Sequence, residues 1–373
     1  MAAIVLAGRE IIGGSLPIVI GLVGVGGGIY FTAVNKGSIV DFRDNDVISN
    51  TAYISSTGGG AYGGLYAYAN EGSLLTIQGS RFEHNEAESD YAGITAELEE
   101  NSRLVMARSI VSGNIAMGQN GGVSIFSQNK YDAQYGQYFL ERNKIINNNS
   151  AERCGLSITD IQFMVDNAPP LWGRSTNNVI AGNSCGVYLE NVDFRSTNDT
   201  IADNVGAGLS VSGTLTSTIY FDNGILWDNG MNLTTTDPLT QSLMVATYSD
   251  IQLESGVWPG DGNRNDDPHF ENPEDRDYHL EINSPVVNRI PPELAPAVDH
   301  DGVPRPVGEE SDMGAYEYRV SGVWVTGDDP LTGDPGEMVT HTVTIENSGS
   351  AQDAFDLALS DNTWPSTLST GEV

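Results

Sequence analysis

Basic residues are scarce in this chain: 17 Lys and Arg stand against 50 Asp and Glu in 373 residues, and only three of the 17 are Lys. Phosphate backbones and anionic headgroups are held by neutralising cations, so a formal charge of −33 excludes a nucleic-acid binder. The two cysteines do not fix the redox compartment. Helical repeats are excluded too, because no stretch shows a 3.6-residue apolar period. What is present suffices for a core: 39% of residues are apolar and 8% aromatic, at a mean hydropathy of −0.22. That much apolar surface offsets the entropy of ordering the chain. Gly (43) and Asn (30) are both abundant, which favours many turns over long helices.

An internal repeat organises the sequence. An apolar residue, two variable residues and an Asn recur, ending at Asn50, Asn85, Asn114, Asn148, Asn183, Asn204 and Asn229, with steps of 35, 29, 34, 35, 21 and 25. After each comes Gly and an apolar-x-apolar triplet, as in Gly93-Ile94-Thr95-Ala96 and Gly186-Val187-Tyr188-Leu189; Gly28-Ile29-Tyr30-Phe31 starts the series. The triplets are strands with one buried face, and Gly and Asn supply the φ > 0 of sharp corners. Units this small cannot bury a face alone, so they stack. The expected fold is all-β: a right-handed parallel β-helix solenoid of about eight or more coils, with the seven Asn stacked inward as a hydrogen-bonded ladder. The Asn-to-Gly distance varies from 1 to 14 residues. All length variation is therefore expected on one edge.

These motifs carry a resemblance. Phe82 to Asn85 and Gly121-Gly122-Val123 are similar to the repeat of polymorphic outer membrane proteins, over about residues 24–233. Residues 262–317 resemble the C-terminal region of choice-of-anchor Q type β-helix proteins, through Asp267-Pro268-His269-Phe270, Ser284-Pro285-Val286-Val287-Asn288, Pro304-Arg305-Pro306 and Asp312-Met313-Gly314-Ala315-Tyr316-Glu317. The resemblance implies an exported surface protein more firmly than it implies a reaction. Acidity, few Lys and the sequons at Asn148, Asn198 and Asn232 fit an extracellular or cell-surface location. The division expected is an apolar Gly-rich cap or first coil at 1–27, the β-helix at 28–250, the choice-of-anchor Q type region at 251–318, and part of an immunoglobulin-like, NEW3-type sandwich at 319–373. Val323 to Thr326, Pro335 to Glu337, His341 to Ile345 and Phe355 to Leu359 read as its strands and turns. The 24 uncharged residues Ile11 to Val34 contain seven glycines and Pro17, a poor composition for a membrane helix. No basic segment precedes them to make a signal peptide.

Three constellations bear on chemistry. Cys154 and Cys185 precede the Gly of consecutive repeats, so stacking brings them within disulfide reach as a structural stack, bonded or reduced. Asp261, Asn263, Asn265 and Asp267 alternate oxygen ligands as at the start of a calcium loop, although Asp266 and Asn272 stand where an EF-hand needs Gly and Glu. Asp299, Asp301, Asp312 and Glu317 form a second acidic set that Arg305 would stitch into a cap. The hydrolase signatures of this fold, Gly-His-Gly and Arg-Ile-Lys, do not occur. Asp193, Arg195, Asp199 and Asp203 are the one set that a lyase could assemble, against the reading of a solvated strand face. The reading reached is a structural or adhesive surface scaffold, self-associating end to end or by strand donation, or contacting neighbouring surface proteins or a glycan, with calcium as its one candidate cofactor. The alternative is a carbohydrate-active enzyme, a polysaccharide lyase or glycoside hydrolase.

Overall fold

The computed structural model describes residues 19–20, 28–33, 37–53, 62–89, 91–127, 136–151, 154–160, 171–212, 218–235, 244–319, 323–327 and 343–347. They form two units, one ending at Glu317 and one beginning at Tyr318.

The first unit is a parallel β-solenoid. One coil runs Ile94–Leu98, Arg103–Ala107, Ile110–Ser112 and Ile115–Ala116, and the next begins at Val123. Stacking equivalent strands generates a first sheet of nine strands, a second and a third of eight each, and a small fourth of four. Every pairing between coils is parallel; Val19–Ile20 adds an antiparallel strand against Phe31 and Thr32. That strand and Ile29–Ala33 are the described parts of the long uncharged segment. No helix among the described residues is long and apolar enough to cross a membrane.

Alternation fills the interior. Ile94, Val123, Leu156 and Val187 stack in one column, and Phe82, Val111, Ile145, Ile180, Ile201 and Leu226 in another, all at most 1% exposed. Where Tyr138 enters the interior its register partner is Gly173, whose Cβ would lie 2.5 Å from the Tyr138 ring. Glycine there makes room for the largest residue of the column.

The repeat glycines act through size and not through φ. Positive φ falls instead on the residue before each ladder Asn: Ser49, His84, Gly113, Asn147, Gly182, Asp203 and Asp228, at 49° to 65°. A second corner has its own series at Asp44, Gly79, Arg108, Arg142, Asn177, Asn198, Asn223 and Tyr248. At Gly93 and Gly122 an added Cβ would lie 2.3 and 2.0 Å from the carbonyl oxygen of the next repeat glycine. Coils approach too closely there for any side chain. Length variation also occupies two edges and not one. Connections between the first and second sheets run from the two residues 191–192 to the eleven residues 161–171.

The coils stop at Ile251. The chain then returns across the third sheet as a strap with an antiparallel pair, Phe270–Asn272 and Asp277–Leu280. Tyr278, Ala315 and Tyr316 pack on the outward Val179, Ala181 and Ala202. Three corner amides hold it: Asn177 donates to the Val298 carbonyl (2.8 Å), Asn198 to those of Asp312 and Gly314 (3.1 and 3.0 Å), and Asn223 to that of Leu294 (2.9 Å). Arg305 and Glu317, both with fully buried side chains, pair under the strap.

In the second unit, Val323–Gly327 pairs antiparallel with Val343–Asn347. The turn expected at Pro335 to Glu337 and the strand at Phe355 to Leu359 lie outside the described residues.

Candidate functional site

The seven repeat Asn form a continuous chain of hydrogen bonds. Asn85 donates through Nδ2 to Asn114 Oδ1 (2.9 Å) and to the Val47 carbonyl (2.9 Å), while Asn114 Oδ1 also accepts the Asn85 backbone N–H. Asn50, Asn114, Asn148, Asn183, Asn204 and Asn229 are linked in the same way, and Asn232 closes the row by accepting from Asn229 and donating to Gln252. Cys154 and Cys185 are disulfide-bonded between adjacent coils, with Cα atoms 4.3 Å apart. The sequons do not offer acceptor nitrogens in the folded chain. Asn148 and Asn198 are buried and Asn232 half-buried, with each amide donating inside the fold.

A second ladder went unrecognised in the sequence because its residue type changes. Ser80, Ser109, Asn143, Asn178, Asp199, Ser249 and Asn263 occupy the corner between the second and third sheets, each accepting the backbone N–H of the equivalent residue one coil earlier or, at Gly224, of glycine. This corrects two site readings. Asp199 is not on a solvated face: it is fully buried, accepting from Asn178 through Oδ1 and from Ser196 (2.6 Å) through Oδ2. Asn263 points inward to the ladder and donates to the Ala246 carbonyl (2.8 Å), and Asn265 bonds Leu253 and Gly256, so neither joins Asp261 and Asp267 around a cation. Among the described residues no group of three or more His, Cys, Asp or Glu could hold a metal ion.

The proposed lyase set is likewise dispersed. Asp193 and Arg195 lie on the outward side of the second sheet, Asp199 is inside, and Asp203 faces the strap, accepting the Tyr278 hydroxyl (2.8 Å) near Arg276 (3.6 Å). Asp203 borders a cleft of about 370 Å³ lined also by Trp227, Asp228, Asp267, His269 and Glu281. Burial, with the neighbouring Asp228 charge, raises the Asp203 pKa although the Tyr278 bond opposes this.

The acidic set of the strap is structural. Glu317 Oε1 receives Arg305 and the Asp312 N–H, Glu317 Oε2 the Val307 N–H, and Asp299 Oδ2 the Glu317 N–H. Asp301 stays apart, 3.0 Å from His279.

A further surface with chemistry among the described residues is the outward side of the second sheet, which the strap does not cover. Successive strands align Val105, Phe139, Arg174, Arg195, Tyr220 and Val245 in one row, with Arg103, Gln137, Trp172 and Asp193 in the row beside it. Arg103 lies over the Phe139 ring at 5.3 Å and Arg195 over Tyr220 at 4.3 Å, while Trp172 meets Phe139 edge-on and is 38% exposed. Comparison with protein families, curated proteins and solved structures finds no match to this chain.

Two buried carboxyls set a pH dependence. Burial pushes Asp199 up to about 6 despite its Ser and Asn donors, and pushes Asp250 up to about 7, the Asp266 N–H and Arg264 opposing this and the Asp266 and Asp267 charges adding to it. Both folded-state values lie above the ordinary Asp value of 3.8, so the folded chain binds protons more tightly than the unfolded one. These two carboxyls are therefore expected to add stability as pH falls from about 7 toward 4 and to add least above 7, partly offset by His300, whose pKa burial lowers to about 4. Urea midpoints at pH 8 and pH 5 measure this. Asp250→Asn should raise the pH 8 midpoint and flatten the profile; an unchanged slope would contradict the assignment.

Reduction of the Cys154–Cys185 bond, which closes a 31-residue separation, should cost about 2–4 kcal/mol by freeing the unfolded chain. Melting with and without reductant checks it, with Cys154→Ala/Cys185→Ala as the reference for the reduced state.

Proposed function

We propose that the chain is an extracellular or cell-surface adhesive scaffold, a β-solenoid that presents the outward side of its second sheet as a binding surface. The observation that carries this reading is the contrast between two sides. The third sheet is closed by a strap held through Asn177, Asn198, Asn223 and the Arg305–Glu317 pair, whereas the second leaves Trp172, Arg174 and Arg195 open to solvent. Exposed aromatic and arginine side chains in a cluster are the usual anchors of recognition surfaces. Two ladders and an inter-coil disulfide make the support rigid, which lowers the ordering cost of binding. The acidic composition and the resemblance to exported β-helix proteins support the location.

A second reading follows from the cleft at Asp203. A half-buried carboxyl with raised pKa beside Asp228 has the character of a general acid, as a carbohydrate-active enzyme requires. Against it, Asp203 is already engaged by Tyr278 and Arg276, which fasten the strap.

Retention of the purified chain on intact cells and cell-wall fragments tests the scaffold reading. The wild type should be retained, and Trp172→Ala/Arg195→Ala should be washed off with its melting temperature unchanged. Equal retention of both proteins would reject the second sheet as the working surface.

A further inference from the structure

Arg174 is anomalous in a chain this acidic. With 50 carboxylates for 17 cations, an arginine should find a partner readily, yet Arg174 makes no hydrogen bond or ion pair with any described residue. Its register partner in the next strand is Arg195, so the two arginines leave the same side of neighbouring strands whose backbones lie about 4.8 Å apart along the solenoid. Like charges directly opposite one another destabilise a sheet, and a shared anion would convert that repulsion into attraction.

Among the described residues the neighbouring carboxylates supply that anion only loosely. Asp193 is turned to the Thr218 N–H (2.9 Å), Asp222 takes the Thr247 hydroxyl (2.8 Å) and stays 3.9 Å from Arg195, and Glu141 lies on the row next to the third sheet. Among the described residues Arg103 likewise meets no carboxylate and bonds Gln137 Oε1 (2.9 and 3.2 Å). Stacking on Phe139 and Tyr220 holds Arg103 and Arg195 flat against the sheet and leaves guanidinium N–H edges for an oxyanion. Trp172, beside Arg174 on the same strand, offers an exposed ring.

We propose that this surface binds an extended polyanionic glycan running along the solenoid axis, its carboxylate or sulfate groups bridging Arg174 and Arg195 and a sugar ring lying on Trp172. The inference rests on the adhesive reading of the second sheet and names its ligand. Charge selects the anion, because forked guanidiniums match carboxylate and sulfate oxygens two at a time. The flat row of strands selects a linear chain, whose units recur as the strands do. The net charge of −33 does not forbid this, since among the described residues Arg174 has no carboxylate partner and Arg195 only a distant one at 3.9 Å, and short-range pairing survives where distant repulsion is screened by salt.

Titration of the full chain with polygalacturonate, dextran sulfate, neutral dextran and polyglutamate tests the proposal. Polygalacturonate or dextran sulfate should bind, more weakly as salt rises, and Arg174→Gln, Arg195→Gln and Trp172→Ala should each weaken it about tenfold or more. Arg108→Gln, an exposed arginine outside the strands, should change it less than twofold. Equal binding of neutral dextran would overturn the role of charge. Equal binding of polyglutamate would overturn the glycan in favour of acidic polypeptide, and absence of binding to all four would overturn the proposal. If cell retention still depends on Trp172 and Arg195 while neither polyanion competes for it, the adhesive reading stands and this inference alone falls.

Discussion

Asn148→Ala is expected to lower the melting temperature steeply. Asn148 donates to the Val111 carbonyl (2.9 Å) and Asn183 Oδ1 (3.1 Å), and accepts the Asn114 N–H and amide (3.1 and 2.9 Å). Truncation leaves donors on one coil and an acceptor on another buried without partners, at about 1–3 kcal/mol each. In a stacked array, stability is a sum of unit and interface terms, so the damage reaches the coils on both sides. Hydrogen exchange should quicken at Ile110 to Asn114 and Val179 to Asn183 together. Asp193→Ala and Arg195→Ala, on the exposed sheet, should stay within about 0.5 kcal/mol of wild type. Comparable melting of all three variants would mean that the ladder carries no special weight.

Arg305→Ala is expected to release the strap while leaving the coils folded. The guanidinium is fully buried with Glu317, and also donates to the carbonyls of Asp312 and Gly314 (2.8 Å each). Burial lowers the Arg305 pKa and raises that of Glu317, while their mutual attraction opposes both shifts. Removing one partner strands the other charge inside, at a cost of about 3–5 kcal/mol, whereas replacing both by apolar residues of similar size is often tolerated. Limited proteolysis should therefore cut Arg305→Ala between residues 252 and 317, and Arg305→Met/Glu317→Leu should regain much of the resistance. Wild-type resistance of the single variant would show that the packing of Tyr278, Ala315 and Tyr316 and the corner amides hold the strap without the buried pair.

The coils were legible from sequence because the demands that build them repeat. An inward Asn once per turn and a Gly where coils nearly touch leave a period that a single chain displays. The reason for the glycines was not legible, since close approach between Gly93 and Gly122 exists only after stacking. The second ladder was hidden by chemistry. Ser109, Asn143 and Asp199 share one task, accepting a backbone N–H, and any side chain with an oxygen at that reach performs it. A signal did exist for the strap: the outward positions of the third sheet pass from Arg81 and Glu83 to Val179, Ala181, Ala202 and Ile225, which water would not tolerate uncovered. The exposed row of Arg174, Arg195 and Tyr220 could not be seen before register was known, because its members are 21 and 25 residues apart in sequence and adjacent only across strands. The same register separates Asp199 from Asp193 and Arg195, and so dissolves the cluster that sequence proximity suggested.

The central claim, a binding scaffold rather than a carbohydrate-active enzyme, is tested most directly by incubating the purified chain with a panel of acidic and neutral polysaccharides. Reducing ends and unsaturated products are followed over the same time course. The account predicts that acidic glycans are retained by the wild type and that neither product accumulates above a heat-treated control. Reproducible turnover abolished by Asp203→Asn, in a variant that still melts as the wild type does, would contradict it and place the chemistry in the cleft beneath the strap.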